Sequence, residues 1–276
     1  MFATLLYPVF ILVLVISFLY NPTQYSYNDS MSSLYIKSTP SEVSKADGIH
    51  LLTFSTPNGQ KVQILLEELA LLYGIKWTTS FINIMQNEQK EDWYLRLNPN
   101  GKIPVVVDNT NQGDPFPVIE TSAELLYLAE KYDKDYALSF QDPLERSQMV
   151  QWLFFWHGSG APPYGQLMYF GKFAKEKLPA AIERFRSETL RVFGVLELHL
   201  SGKNNDGQHR EYLAGSGKGK YSLADIGAWP WVAKWEFAGF EKKDMDAFPS
   251  VLAWLERIGQ REAVKNGTGD KYQKKP

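Results

Sequence analysis

Every strand-like run in this chain lies before Asp133, and every periodic segment after it has the period of a helix. That switch restricts the chain to a small sheet followed by a helical region. Ile49 to Phe54 is a short apolar run that reads as a buried strand. Ser55-Thr56-Pro57-Asn58-Gly59 interrupts it. Val62, Leu65, Leu66, Leu69 and Leu72 then recur at helical spacing, with Asn58 placed to cap that helix and Gly74 to end it. Ile75 to Ile84 reads as a second strand, Glu88 to Leu97 as a short helical or irregular segment, and Lys102 to Asp108 as a third strand with Pro104 near its start. Phe116 to Ile119 is a fourth short strand, and Glu120 to Tyr132 a helix. The order βαβ(α)ββα contains one parallel crossover followed by a hairpin, which predicts a mixed four-stranded sheet.

Beyond it, helices are expected over 142–156, 176–200, 223–240 (interrupted at Pro230) and 250–260. The stretch 202–220 is polar and glycine-rich, a surface loop. At 276 residues the chain is long for one domain. The expected division is an α/β domain over 48–134 and an all-helical domain over 142–270, preceded by an apolar segment and polar linker over 1–47. A formal net charge of −2 gives no electrostatic footprint for nucleic acid. There is no cysteine, hence no disulfide framework, no thiolate metal site and no protein thiol nucleophile. The four histidines, His50, His157, His199 and His209, show no metal-ligand spacing, so no metal is expected. Any thiol chemistry must come from a ligand's sulfur.

Phe2 to Tyr20 is almost entirely apolar, about long enough for a signal sequence or a short membrane anchor. It lacks a basic leading region and a clear cleavage site. Two readings stay open: a genuine anchor or signal, which would make the protein membrane-anchored or secretory, and a gene-model extension upstream of Met31, which would leave it cytoplasmic. Asn21 to Ser44 is polar, rich in Ser and Tyr, and reads as a linker.

Several motifs carry a resemblance. They are Thr56-Pro57-Asn58-Gly59-Gln60-Lys61-Val62, Asn98-Pro99-Asn100-Gly101-Lys102-Ile103-Pro104, and Glu120-Thr121. Gln151-Trp152-Leu153-Phe154-Phe155 and Pro163-Tyr164-Gly165-Gln166 follow in the second half. In this order and spacing the segment from about Gly48 to Lys265 resembles the glutathione transferase superfamily. Within it the segment is most similar to the group around the yeast nitrogen-regulator prion protein and the bacterial Nu-class enzymes. The resemblance implies a thioredoxin-like glutathione-binding domain, an all-α substrate domain, a homodimer, and glutathione as co-substrate toward an apolar electrophile.

It also implies roles. A helix N-terminus favours an anion, and Thr56 and Asn58 are side-chain donors there that could hold the glutathione thiolate; the plain alternative for Asn58 is a helix cap. Redox-active relatives of the fold carry Cys-x-x-Cys in this loop, where this chain has Ser55-Thr56-Pro57-Asn58. In this family Pro104 would be cis and would turn the Ile103 backbone toward the cysteinyl part of glutathione, as one added strand residue. Lys102 would meet the glycyl carboxylate. Glu120 and Thr121 would bind the γ-glutamyl amine and carboxylate; alternatively, Thr121 caps the helix and Glu124 completes a capping box. Gln89 falls where Nu-class relatives contact glutathione with a glutamine. His157, Tyr164, Gln166 and Tyr169 are candidates to line the electrophile pocket, and Ser222 with Asp225 to form a structural capping box.

The expected function is conjugation: the thiolate of bound glutathione attacks an electrophilic xenobiotic or secondary-metabolite intermediate. Glutathione-dependent disulfide or peroxide reduction, and a non-enzymatic glutathione-binding regulator, are the alternatives.

Overall fold

The computed structural model describes residues 34–111 and 115–273. The four expected strands are β1 (Ile49–Thr53), β2 (Trp77–Phe81), β3 (Val105–Asp108) and β4 (Phe116–Val118). They stand in the order β2-β1-β3-β4, with β1 parallel to β2 and antiparallel to β3, and β4 antiparallel to β3. Around them run α1 (Ser41–Ser44), α2 (Pro57–Tyr73), α3 (Asp92–Leu97) and α4 (Thr121–Tyr132). This is a thioredoxin-like layer, and the helical half follows it.

Alternation sorts the strands between two cores. Ile49, Leu51, Val106 and Val118 face α2 and α4, and share one apolar cluster with the helical half. Leu52, Val105 and Val107 face the other way, onto Trp93, Tyr94 and Leu97 of α3. His50 is buried in β1, with Nδ1 2.7 Å from Thr78 Oγ1 and Nε2 3.1 Å from Ser80 Oγ. Burial holds its pKa down to about 4, so the ring stays neutral.

The expected linker is shorter than its composition suggests. Leu34, Tyr35, Ile36 and Val43 pack into the α3 side of the sheet, and α1 closes that edge. Their polar neighbours masked this apolar set in the sequence. The expected anchor or signal over 2–20, and the linker up to Ser33, lie outside the described residues. Among the described residues no helix is long and apolar enough to cross a membrane.

The helical half contains α5 (Pro143–Phe155), α6 (Ala161–Met168), α7 (Pro179–Leu200), α8 (Leu223–Val232), α9 (Lys242–Met245), α10 (Pro249–Gly259) and α11 (Glu262–Thr268). Between α5 and α6 the helix widens into a π-turn over Trp156–Gly160, and after α6 into another over Tyr169–Phe173. The helix expected over 142–156 thus continues through α6. Pro162 and Pro163 supply no N–H, and the wider turn before them accommodates that loss. Gly160 is required there: a Cβ would lie 2.5 Å from the Trp156 ring. The helix expected over 223–240 runs through Pro230 and stops at Val232, with turns after it. Asp225, in the first turn of α8, is fully buried and accepts from Ser222 N at 3.0 Å, Leu213 N at 3.0 Å and Trp254 Nε1 at 2.8 Å. Desolvation dominates these donors and raises its pKa to about 6.

α2 ties the two halves together. Every residue from Gly59 to Leu69 is buried, so the helix has no solvent face over that stretch. A helix enclosed on all sides must find partners for its polar residues. Gln63 Nε2 donates to Thr53 Oγ1 at 3.0 Å. Glu68 takes a two-pronged bond from Arg261, at 2.6 and 2.9 Å. Glu67 accepts from Lys271 at 2.7 Å and from the Tyr272 hydroxyl at 2.8 Å. The chain's C-terminal region thus satisfies carboxylates carried by its first long helix.

α11 packs tightly on α2. A Cβ at Gly267 would lie 2.8 Å from the Ile64 Cα, backbone that cannot swing aside. We expect Gly267→Ala to cost about 1–3 kcal/mol by overpacking, read from the urea midpoint. Gly171→Ala, where a Cβ meets nothing within 4 Å, is the matched control. Equal midpoints for the two variants would show that the α2–α11 contact is not tight.

Candidate active site

A cleft of about 360 Å³ opens where the N-termini of α2 and α4 and the loop before β3 meet α6 and the end of α8. Asn58, Lys102, Ile103, Pro104, Glu120, Thr121, His157 and Gln166, all singled out from sequence, line it.

At the start of α2 the cap is Thr56, not Asn58. Thr56 Oγ1 accepts the Gly59 N–H at 3.2 Å. Gly59 is forced by space, since a Cβ would fall 2.1 Å from the Phe54 carbonyl oxygen. Asn58 is released from capping, and its Oδ1 accepts the indole N–H of Trp231 at 2.9 Å. Pro57 has no N–H, and the Gly59 N–H is taken by the cap. The Asn58 backbone and side-chain amides are therefore donors still available at this helix end, which favours an anion.

The second wall is a rigid loop. Asn98 is buried, donates to the Lys102 carbonyl at 2.9 Å and accepts the Asn100 N–H at 3.0 Å. The Tyr94 hydroxyl donates to the same carbonyl at 2.8 Å. The Ile103–Pro104 peptide is cis. The exposed Lys102 ammonium and the Ile103 backbone stand at the cleft edge.

The third wall is the start of α4. Glu120 occupies its N-cap with φ 69° and ψ 112°, a conformation that side-chain-bearing residues rarely adopt. Strain of this kind persists where surrounding structure enforces it, often at functional sites. The Glu120 carboxylate is half exposed, 3.4 Å from Asn100 Nδ2 and 3.6 Å from His157 Nε2. The His157 Nδ1 lies 3.0 Å from Ser122 Oγ. Thr121 does not cap the helix and Glu124 does not close a capping box; Glu124 is fully buried, with both carboxyl oxygens lacking a hydrogen-bond partner among the described residues. Burial drives its pKa well up, and the nearby Glu120 adds to this. Lys61, from α2, is 2% exposed and donates to Thr121 Oγ1 at 3.2 Å. Burial lowers its pKa to about 7, against the pull of Glu124 and Glu120.

Four expected site residues do not line the cleft. Thr56 serves as the cap described above. Gln89 sits in a short 3-10 turn, its side-chain oxygen buried without a partner, and does not line the cleft. Tyr164 is completely buried in the helical core, edge-on to Trp231 at 5.5 Å. Its place in helix α6, not recognised as a helix, turned it inward. Tyr169 is 53% exposed on the second π-turn, beside Phe170. Sequence reasoning missed Lys61 and Trp231. A lysine inside an apolar helical stretch was a usable signal for Lys61; nothing local marks Trp231, which lies 173 positions from Asn58.

Taken together, a carboxylate stands beside a hydroxyl and a cation at one helix start, which suits the ammonium and carboxylate of an amino-acid head group. A strand-edge backbone and a lysine suit an extended peptide ending in a carboxylate. A second helix start suits an anionic atom between them, facing Ala161, Pro162, Gly165 and Gln166.

Residues 56–131 match the family model described as glutathione S-transferase, N-terminal domain, and residues 179–257 the one described as glutathione S-transferase, C-terminal domain. The disulfide-bond oxidoreductase YfcG of Escherichia coli is 36% identical over 218 residues, 78% of this chain and 92% of that protein. Glutathione S-transferase 2 of Schizosaccharomyces pombe is 36% identical over 226 residues, 76% of this chain and 89% of that protein. Among solved structures, Ure2p in complex with glutathione superposes with a TM-score of 0.70 at 30% identity, covering 81% of this chain and 94% of that one. A glutathione transferase from Pseudomonas putida, with one glutathione disulfide bound per subunit, superposes at 0.71 with 33% identity, covering 81% and 92%. With the sheet order, the paired helix starts and these likenesses in place, the chain belongs to the glutathione S-transferase family.

Proposed function

We propose that this protein binds glutathione in the cleft and uses its thiolate to attack an electrophilic small molecule. The observation that carries the reading is the meeting of two helix starts with complementary chemistry. Glu120 takes the γ-glutamyl ammonium. Thr121, the first-turn N–H groups of α4 and Lys61 take its carboxylate. The Ile103 backbone pairs with the cysteinyl residue, and Lys102 meets the glycyl carboxylate. The cysteinyl sulfur then rests at the start of α2, where Asn58 Nδ2 and the helix dipole favour the thiolate over the thiol. In conjugation the sulfur lone pair forms a C–S bond, the leaving group departs with its bonding electrons, and the thiol proton goes to solvent. Exposed Leu144 and Phe154 on α5 support a homodimer built on that helix.

A second reading has its own support. YfcG is named a disulfide-bond oxidoreductase, and the Pseudomonas putida transferase holds a glutathione disulfide. This chain has no cysteine, so disulfide reduction here would use two glutathiones. The first thiolate displaces one thiolate of the disulfide, and the second resolves the mixed disulfide to glutathione disulfide. Turnover of 1-chloro-2,4-dinitrobenzene against hydroxyethyl disulfide separates the two readings. Conjugation predicts the first as the better substrate, and a strong preference for the disulfide would replace it with the reductase reading.

Glu120→Ala is expected to weaken glutathione binding about tenfold to a hundredfold, the value of a charge-assisted hydrogen bond, while leaving the unfolding midpoint nearly unchanged. Titration calorimetry beside a denaturant melt reads both. Unaltered affinity would remove Glu120 from the site.

Lys61 predicts a proton linkage. In the free protein its ammonium loses its proton near pH 7, because burial opposes the charge. A ligand carboxylate at Thr121 favours the charged form and raises that pKa. Between the free and bound values, binding therefore takes up a proton, and affinity falls as pH rises through the window. S-methylglutathione, which has no thiol proton, isolates the effect. Calorimetry at pH 8 in two buffers of different ionisation enthalpy should show proton uptake, and Lys61→Met should abolish it. Uptake that survives the substitution would assign the proton to another group.

A further inference from the structure

The Asn58 side chain presents two chemically opposite faces, and only one of them stabilises a thiolate. Its oxygen would repel the sulfur anion; its N–H groups would hold it. Which face meets the cleft is a matter of a half-turn about one bond, and an amide free to turn would sample both. Three observations fix it. The indole N–H of Trp231 reaches Asn58 Oδ1 at 2.9 Å, and an indole nitrogen donates but never accepts, so the amide must offer its oxygen on that side. Asn58 is not engaged in capping, since Thr56 fills that role. Among the described residues Nδ2 has no protein acceptor, while Asn58 and Trp231 both line the cleft.

Trp231 is itself held. Tyr164, completely buried, packs edge-on against it at 5.5 Å with an interplanar angle of 79°. A Cβ on Gly165 would sit 3.6 Å from the ring, an ordinary contact distance, so the indole lies packed along α6. Trp231 stands in the last turn of α8, just past Pro230. The helical half thus carries the ring, and the sheet half carries the amide.

We propose that Trp231 is a positioning residue for the thiol chemistry: by holding Asn58 Oδ1 it turns the Asn58 NH2 toward the glutathione sulfur. This inference rests on the reading of Asn58 as the thiolate donor. It assigns to Trp231 a role separable from forming the wall of the acceptor pocket. A wall residue affects which electrophile fits; a positioning residue affects how readily the thiol ionises before any electrophile arrives.

The test is the ultraviolet thiolate absorbance of the binary complex with glutathione, followed against pH with no second substrate present. Wild-type protein should show the bound thiol ionising below the pH at which free glutathione does. Asn58→Ala should raise that pKa by about one unit, the worth of one hydrogen bond to a charged group. Trp231→Phe should raise it in the same direction, with glutathione affinity retained, because Trp231 meets none of the groups assigned to the head or tail of the peptide. Replacing Trp231 by benzothienylalanine, which keeps the bicyclic shape and puts a sulfur in place of the N–H, should do the same, and this variant decides the matter if Trp231→Phe fails to fold. The double variant Asn58→Ala/Trp231→Phe should shift no further than Asn58→Ala alone, since the tryptophan acts through the amide. A shift with Asn58→Ala but none with either Trp231 variant overturns the positioning role and leaves the reading of Asn58 standing. No shift with Asn58→Ala overturns both. A Trp231 shift that adds in full to the Asn58 shift shows a direct effect of the ring on the sulfur and also overturns the proposal.

Discussion

The structure is organised by one constraint: α2 is enclosed on every side over most of its length. A helix with no solvent face cannot be placed last. The sheet, α4, α8 and α11 each have to present a matching surface to it, and Glu67 and Glu68 have to be met by the far end of the chain. The two ends of α2 escape this enclosure, with Leu71 and Leu72 exposed in its last turn. Of the two, the N-terminal end opens into the cleft, and there the helix N–H groups favour an anion, the more so in low-dielectric surroundings.

The same enclosure explains the unusual floor of the cleft. Glu124 and Lys61 are both withdrawn from water, yet no salt bridge joins them directly; the lysine instead donates to Thr121. Elsewhere in the interior buried carboxylates are matched by short donors, as at Asp225 and at Glu197, which accepts from Ser250 N and Val251 N at 2.8 and 3.0 Å. Beneath Thr121, by contrast, the Glu124 carboxyl oxygens are buried without a hydrogen-bond partner, and on the proposed reading a ligand carboxylate would approach there. The positive φ of Glu120 lies on the same turn. Natural interiors tolerate such conflicts where function maintains them.

Much of the fold was legible because it depends on local signals: the short apolar runs of β1 and β3, helical spacing in α2 and α4, and the proline near the start of β3. The site residues from Lys102 to Thr121 were legible for a related reason, being packed into two short motifs. What escaped was settled by distance or by geometry finer than spacing. Asn58 reads as the better cap by residue type, but Thr56 stands one backbone position where its hydroxyl reaches the Gly59 N–H. Tyr164 and Tyr169 looked alike as aromatic candidates. Five residues apart on one helical run, they stand roughly 140° apart about its axis, so that one faces the core and the other solvent. Trp231 comes from a part of the chain whose apolar run says only that it is buried somewhere. The packed residues from Leu34 to Val43 were hidden by a polar setting, since a few apolar side chains without a period leave no pattern to detect.

The bond between Asn58 and Trp231 has a consequence for how such a chain can be rebuilt. Two-layer enzymes of this kind invite recombination: keep the half that holds the invariant ligand, exchange the half that selects its partner. Here the exchange would not be neutral. A helical half grafted from elsewhere brings its own residue to position 231, and unless that residue offers a hydrogen to Asn58 Oδ1, the borrowed selectivity arrives with an amide free to face the wrong way. The two halves are therefore not interchangeable cassettes, and a chimaera that folds and holds its ligand could still be chemically slow for want of one indole hydrogen.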